Sequence, residues 1–165
     1  MAERSGLSVE EVDPRRLHDL RRRVLRGGDP AAAVDEPRDT EATTLHLAGV
    51  LDGVVVVCAS FYATPHAPEP APAYQLRFMA ADPAVRGRGF GARVLDEAER
   101  RLAARGVVRL WANARDSALG FYQSVGWTVV AGTHFVSVET GLPHTVIDKP
   151  LVAGWAKPGS PPPRH

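Results

Sequence analysis

Arg86-Gly87-Arg88-Gly89-Phe90-Gly91, entered from Tyr74-Gln75-Leu76-Arg77-Phe78-Met79-Ala80-Ala81 through Asp82-Pro83, is the stretch on which the reading of this chain turns. The run from Tyr74 to Ala81 reads as a strand that stops at Asp82-Pro83. Gly89 to Arg105 reads as the best helix in the chain. Phe90, Val94, Leu95, Ala98 and Leu102 share one face, while Asp96 with Arg100 and Glu97 with Arg101 stand four residues apart, and Gly106 terminates it. A strand, a glycine-containing turn and a helix start form a ready anion site. Glycine lets the backbone approach a ligand closely, and the first amides of a helix are unpaired donors at its positive end. Arg86, Arg88 and Arg93 add positive charge around it, so the pattern suits a diphosphate held mainly by main-chain donors. The loop lacks the Walker lysine and the later acidic residue of a dinucleotide site. An ATP-binding loop is therefore the weaker reading, and an arginine-glycine segment for nucleic acid would be repeated and disordered rather than open an amphipathic helix.

Outward from this loop, the chain has 165 residues and 44% hydrophobic content, which predicts one domain over 1-156. Lys+Arg 20 against Asp+Glu 19 leaves no global field to draw it to nucleic acid or an anionic membrane, so anion binding must be local. No segment resembles a signal peptide or approaches the roughly 20 apolar residues of a membrane span, and a cytoplasmic protein is expected. The single cysteine, Cys58, lies in an apolar run and reads as a buried hydrophobe in a reducing compartment. Asp13-Pro14 opens a helix with Leu17, Leu20, Val24 and Leu25 at helical spacing, closed by Gly27-Gly28. Ala31 to Thr43 is a loop with room for a short helix. Thr44 to Leu51 and Val54 to Phe61 form a hairpin across Asp52-Gly53, the strongest such signal here. Thr64 to Pro72, with four prolines, is a loop. Beyond the main helix come a strand at Val107 to Asn113, a short helix at Ser117 to Ser124, a strand at Trp127 to Val130, and one or two more between Phe135 and Lys149. The tail 157-165 reads as disordered.

A second motif, Asn113-Ala114-Arg115-x-x-Ala118-x-x-Phe121-Tyr122-x-x-x-Gly126-Trp127, follows the next strand. With it the sequence resembles the GNAT superfamily of N-acetyltransferases, in which the strand, Arg-x-x-Gly-x-Gly loop, helix, strand and Phe-Tyr helix occur in this order. The match runs from about Tyr74 to Lys149. Gly141-Leu142-Pro143-His144, an Arg-rich first helix, an acidic loop and His46-Leu47 look like the ElaA-type branch. The resemblance implies an α/β (α+β) fold with a mixed, mostly antiparallel central sheet flanked by helices. It also implies transfer of an acetyl group from acetyl-CoA to a primary amine of a small molecule or peptide, in a ternary complex. A homodimer is compatible with it.

By that resemblance, the backbone at Met79, Ala80 and Ala81 pairs with the pantetheine arm, which satisfies an exposed strand edge where a splay or bulge opens space. Amides of Arg86, Gly87, Arg88, Gly89, Phe90, Gly91 and Ala92 hold the pyrophosphate. Asn113, Ser117, Ala118 and Phe121 border the thioester, with Phe121 and Trp127 as core residues. Tyr122 is the general acid toward the coenzyme A thiolate, against the competing reading of a core aromatic. The substrate amine is its own nucleophile. Glu139 and His144 are the candidate bases, with His46, His134 and Glu41 behind them. Many relatives carry a base on the fourth strand, but Tyr74 to Ala81 holds no carboxylate. A non-catalytic module that senses acyl-CoA or scaffolds a partner is therefore the alternative. Arg77 reads either as a partner of the acidic loop at Asp35, Glu36 and Asp39 or as a clamp for a substrate carboxylate, the former being preferred. No spacing of His, Cys and acidic residues suggests a metal.

Overall fold

The architecture follows from how the strands pair, and the computed structural model describes residues 6–66 and 72–151. The strands β1 (Leu7–Glu11), β2 (Leu45–Leu51), β3 (Val54–Ala63), β4 (Ala73–Ala81), β5 (Arg109–Arg115), β8 (Pro143–Pro150) and β6 (Thr128–Val129) follow one another in that order, with β7 (Phe135–Val136) on β8, in one mixed and mostly antiparallel sheet. The exception is the parallel ladder of Ala73–Gln75 of β4 with Arg109–Trp111 of β5. A parallel neighbour needs a long crossover, and the chain between these strands runs through α2, Phe90–Ala104. The contacts divide the chain into a first unit, up to Ala63 plus Leu76–Arg100, and a second, Thr64–Gln75 plus the chain from Arg101 on.

In the first unit, β1 (Leu7–Glu11) pairs with β2 (Leu45–Leu51), which pairs with β3 (Val54–Ala63). The expected hairpin is present: Asp52 at φ 50 and Gly53 at φ 79 give the paired positive angles of its tight turn. β1 is not foreseen by the sequence; Leu7 and Val9 alternate with Ser8 and Glu10, too short a pattern to read without its partner β2. The expected first helix is three helical forms in succession: a 3-10 turn at Pro14–Leu17 capped by Asp13, an α-helical turn α1 at His18–Leu20, and a π turn at Arg21–Leu25. Leu17, Leu20, Ala48, Val50, Cys58 and Ala80 pack into one core, in which burial pushes the Cys58 thiol up to about 12. A Cβ on Gly49 would stand 3.2 Å from Val57 and from Val94, so glycine there lets α2 close on the sheet.

The same unit buries a polar cluster. The Arg21 guanidinium, 1% exposed, donates to Asp39 at 2.8 Å, to the Val34 carbonyl at 2.8 Å and to Ser60 Oγ at 2.8 Å. Asp39, on the 3-10 turn Pro37–Thr40, also accepts from the Tyr62 hydroxyl and the Glu36 amide. His46 bridges Ser60 Oγ at 2.7 Å and the Asp39 carbonyl at 2.9 Å. Burial favours the neutral carboxyl of Asp39, but the bonds from Arg21 and Tyr62 outweigh it and hold the group below the usual carboxylate range.

In the second unit, β5 (Arg109–Arg115) lies antiparallel to β8 (Pro143–Pro150), which also takes β6 (Thr128–Val129) and β7 (Phe135–Val136). A 3-10 turn at Asp116–Ala118 leads into α3, Leu119–Ser124. Leu110 and Ile147 are fully buried, and Trp127 is nearly so. Residues 67–71 of the proline-rich loop and the tail 157–165 lie outside the described residues. No described helix is long and apolar enough to cross a membrane.

The buried cluster makes stability depend on pH. Burial, aided by the Arg21 charge, lowers the His46 pKa below its ordinary 6.5, so the unfolded chain binds the proton first as pH falls. Asp39, also lowered, acts in the same direction at more acid pH. The melting temperature followed by circular dichroism is expected to fall from pH 7 to pH 5, and His46→Gln is expected to flatten that slope; an unchanged slope would remove His46 as its source.

Candidate active site

The loop after β4 is built from the backbone outward. Asp82 caps the 3-10 turn Pro83–Val85 by accepting from the Ala84 amide at 2.9 Å, and the Val85 amide reaches the Asp82 carbonyl at 3.0 Å. The Arg86 amide is drawn into that turn through the Pro83 carbonyl at 3.4 Å. The next amide with a protein acceptor is that of Arg93, on the Gly89 carbonyl at 3.2 Å. Between them, the amides of Gly87, Arg88, Gly89, Phe90, Gly91 and Ala92 have no protein acceptor among the described residues. The open row thus begins one residue later than the sequence suggests. Gly87 at φ 81 and Gly89 at φ 77 make the bend, where a side chain would force a left-handed backbone. Of the three arginines expected at the rim, Arg88 lies over the Phe90 ring at 4.6 Å and Arg93 donates to the Leu7 carbonyl at 3.1 Å. Arg93 is therefore tied to β1, and the main chain carries more of the site than its arginine content implies.

β4 approaches this loop with a kink. Phe78 sits at φ 55, and Met79, Ala80 and Ala81 follow it to the strand end. Arg77 donates to Glu36 at 3.0 Å, so the pairing with the acidic loop is present, at Glu36; Asp39 belongs to Arg21 instead.

In the second unit, Tyr122 on α3 is buried between Phe121 at 5.2 Å and Trp127 at 5.5 Å, ring centroid to centroid. Its hydroxyl has no hydrogen-bond partner among the described residues, and burial pushes its pKa up, so it keeps its proton. Phe121 is 38% exposed, which corrects the expectation of a core residue; a six-residue helix at the surface turns it outward while Tyr122 and Trp127 fill the interior. Asn113 is exposed on β5 opposite Val146, Ser117 is exposed on the following turn, and Ala118 caps α3.

The base candidates separate by environment. His144 on β8 is buried, its ring stacked on Phe135, with Nδ1 2.9 Å from the Leu142 carbonyl. A carbonyl only accepts, so Nδ1 bears the hydrogen and Nε2 keeps its lone pair in the neutral ring. Glu139 is exposed on the turn between β7 and β8. His134 sets Nδ1 against the Asp116 carboxylate at 3.2 Å. Both nitrogens of His46 are engaged inside the first unit, which excludes it as the base, and Glu41 pairs with Arg38 at 3.1 Å. Among the described residues no three His, Cys, Asp or Glu side chains gather as metal ligands would.

The profile of the acetyltransferase (GNAT) family matches residues 15–127. The chain belongs to this family. It is 30% identical over 144 residues to the N-acetyltransferase YitI of Bacillus subtilis (strain 168), itself uncharacterised, covering 81% of this chain and 96% of that one. Its fold is similar to that of an aminoglycoside 6'-N-acetyltransferase solved with coenzyme A, with TM-score 0.73 and 13% identity over 88% of this chain and 98% of that one. It is also similar to the ribosomal-protein-S18-alanine N-acetyltransferase of Escherichia coli, with TM-score 0.66 and 16% identity over 89% and 95%.

Within this GNAT acetyltransferase, the loop residues 87–92 come together as one row of donors, and Tyr122, Asn113 and His144 fall on neighbouring elements of the second unit. Sequence reasoning missed Arg21 and Phe78. Arg21 had a signal, since it interrupts the apolar stripe of Leu17, Leu20 and Val24 and can be buried there only with a partner. The left-handed backbone of Phe78 had none, because an aromatic in an apolar strand reads as ordinary.

Proposed function

We propose that this acetyltransferase moves an acetyl group from acetyl-CoA to a primary amine by direct attack within a ternary complex. The observation that carries the reading is the row of unengaged amides from Gly87 to Ala92 at the start of α2, with the positive end of the helix behind it. Coenzyme A, named with the aminoglycoside acetyltransferase of the same fold, brings a pyrophosphate whose oxygens suit such donors. Met79, Ala80 and Ala81 present backbone for the pantetheine amides in this reading. Asn113, Ser117, Ala118 and Phe121 border the thioester.

The chemistry requires an unprotonated amine, a polarised thioester and a protonated leaving thiol. The ammonium proton passes to a base, for which His144 Nε2 is preferred over the solvated Glu139 carboxylate because its lone pair is fixed by the Nδ1 bond to Leu142. The amine nitrogen attacks the carbonyl carbon, the carbon–sulfur bond breaks, the Tyr122 hydroxyl gives its proton to the thiolate, and the second nitrogen proton, shed as the amide forms, restores the phenol by way of solvent. A tyrosine kept protonated by burial and without a protein partner is suited to that donation. The absence of a carboxylate on β4 supports the second reading, a sensor that binds acyl-CoA without turnover.

Calorimetry with acetyl-CoA, followed by thiol release over a panel of amines, tests both readings: no binding at high micromolar concentration sinks the first, and turnover with any amine removes the second. Gly89→Val is expected to weaken acetyl-CoA binding at least about tenfold, because a branched side chain resists φ 77 and its atoms would fill space now open beside the row. Tyr122→Phe is expected to lower kcat roughly a hundredfold with acetyl-CoA affinity unchanged, the usual size of a lost general acid. His144→Gln is expected to lower kcat with the same unchanged affinity, and retained kcat would pass the role to Glu139.

A further inference from the structure

Phe78 is the residue in the first unit whose backbone most needs an explanation. Among the described residues, the other non-glycine residue with positive φ is Asp52, in a hairpin turn that calls for it. Phe78 sits in the interior of β4, where a left-handed aromatic is disfavoured by contact of its Cβ with its own backbone. Such a conformation persists only where the surroundings over-determine it.

Those surroundings are visible. The Arg21 guanidinium lies 4.3 Å from the centre of the Phe78 ring, Arg77 lies 4.9 Å from it, and Tyr62 meets it edge-on at 6.5 Å. Arg21 cannot drift, because Asp39, Ser60 and the Val34 carbonyl hold its two terminal nitrogens. Arg77 is tethered by Glu36. On the main-chain side, the Cys58 thiol of β3 donates to the Phe78 carbonyl at 3.2 Å.

The direction of the next peptide groups follows. In a trans peptide the C=O and the next N–H point opposite ways. With the Phe78 carbonyl aimed at the Cys58 sulfur, the Met79 amide of the same peptide group points the opposite way. It is a donor aimed away from that sulfur, the complement of a carbonyl in an extended ligand.

We infer that Arg21 is a positioning residue for the acyl donor: by holding the Phe78 ring it keeps β4 in the left-handed kink that turns the main-chain donor of Met79 toward a pantetheine carbonyl. This rests on the reading that acetyl-CoA lies along β4. It adds to that reading a specific device, a buried cation acting through an aromatic ring on the backbone one residue away.

The test separates the kink from the ring. Glycine adopts the left-handed region at no steric cost, whereas alanine pays for it without any clamp. Phe78→Gly is therefore expected to keep the acetyl-CoA dissociation constant within about threefold of wild type, and Phe78→Ala to weaken it roughly tenfold, with kcat at saturation little changed in both. Alanine binding as tightly as wild type, or glycine binding as weakly as alanine, overturns the inference. A double-mutant cycle adds a readout that simple destabilisation would not move. Arg21→Lys keeps a charge for Asp39 but loses the planar stack, so it is expected to raise KM for acetyl-CoA several-fold in the wild-type background and to leave it unchanged in the Phe78→Gly background. Equal effects in the two backgrounds would overturn it, and if Arg21→Lys does not fold, the glycine and alanine pair decides alone. Loss of acetyl-CoA binding in the wild type would remove the parent reading and this one with it, whereas wild-type binding with indifferent Phe78 variants removes this one only.

Discussion

Arg21 is a full positive charge taken out of water, and the first unit is arranged around that constraint. Desolvating a guanidinium costs several kcal/mol, recovered only where geometry and hydrogen bonding are nearly complete. Here the carboxylate of Asp39 neutralises it, the Val34 carbonyl and Ser60 complete its terminal nitrogens, and Tyr62 and the Glu36 amide in turn complete Asp39. Its Nε has no partner among the described residues. Each partner comes from a different stretch: the π turn at Arg21–Leu25, the segment at Val34, the 3-10 turn at Pro37–Thr40, and β3. A segment that looks like an irregular loop in sequence is thereby pinned to the sheet at Asp39, and the same guanidinium reaches the Phe78 ring. Replacing the pair by apolar groups of equal volume could leave stability intact, but it would take from that ring its nearest cation, with Arg77 at 4.9 Å remaining.

The second constraint is main-chain polarity. The stretch from Gly87 to Ala92 has Arg88 as its sole charged side chain, yet the bend at Gly87 and Gly89 sets successive N–H groups free where α2 begins. A chain with a formal net charge of +1 has little long-range field to gather an anion, whereas short-range, directional donors of this kind act without one. That is consistent with Arg93 being spent on the Leu7 carbonyl rather than on a ligand.

Much of this was legible from local chemistry. The amphipathic face of α2 and the hairpin at Asp52-Gly53 were plain, because each is decided by residues within a few positions of one another. The glycine bend was equally plain, and the pairing of Arg77 with the acidic loop followed from charge alone. What escaped was decided at long range. β1 exists because β2 offers an edge to a pattern too short to announce itself. Arg21 is buried because Asp39, eighteen positions on, is buried with it. Phe121 faces outward because α3 is short and Tyr122 takes the interior place. The left-handed turn at Phe78 lies against Arg21 and Cys58, both far from it in sequence.

The burial of Cys58 has a practical corollary. It is the sole cysteine of the chain, enclosed by Leu17, Leu20 and Ala80, and its thiol is held far from ionisation at neutral pH. Disulfide-exchange dyes react with thiolates that they can reach, so the folded polypeptide should be silent toward them. A colorimetric signal from such a dye would then report free coenzyme A without background from the catalyst, and a slow rise in its absence would serve as a clock for unfolding.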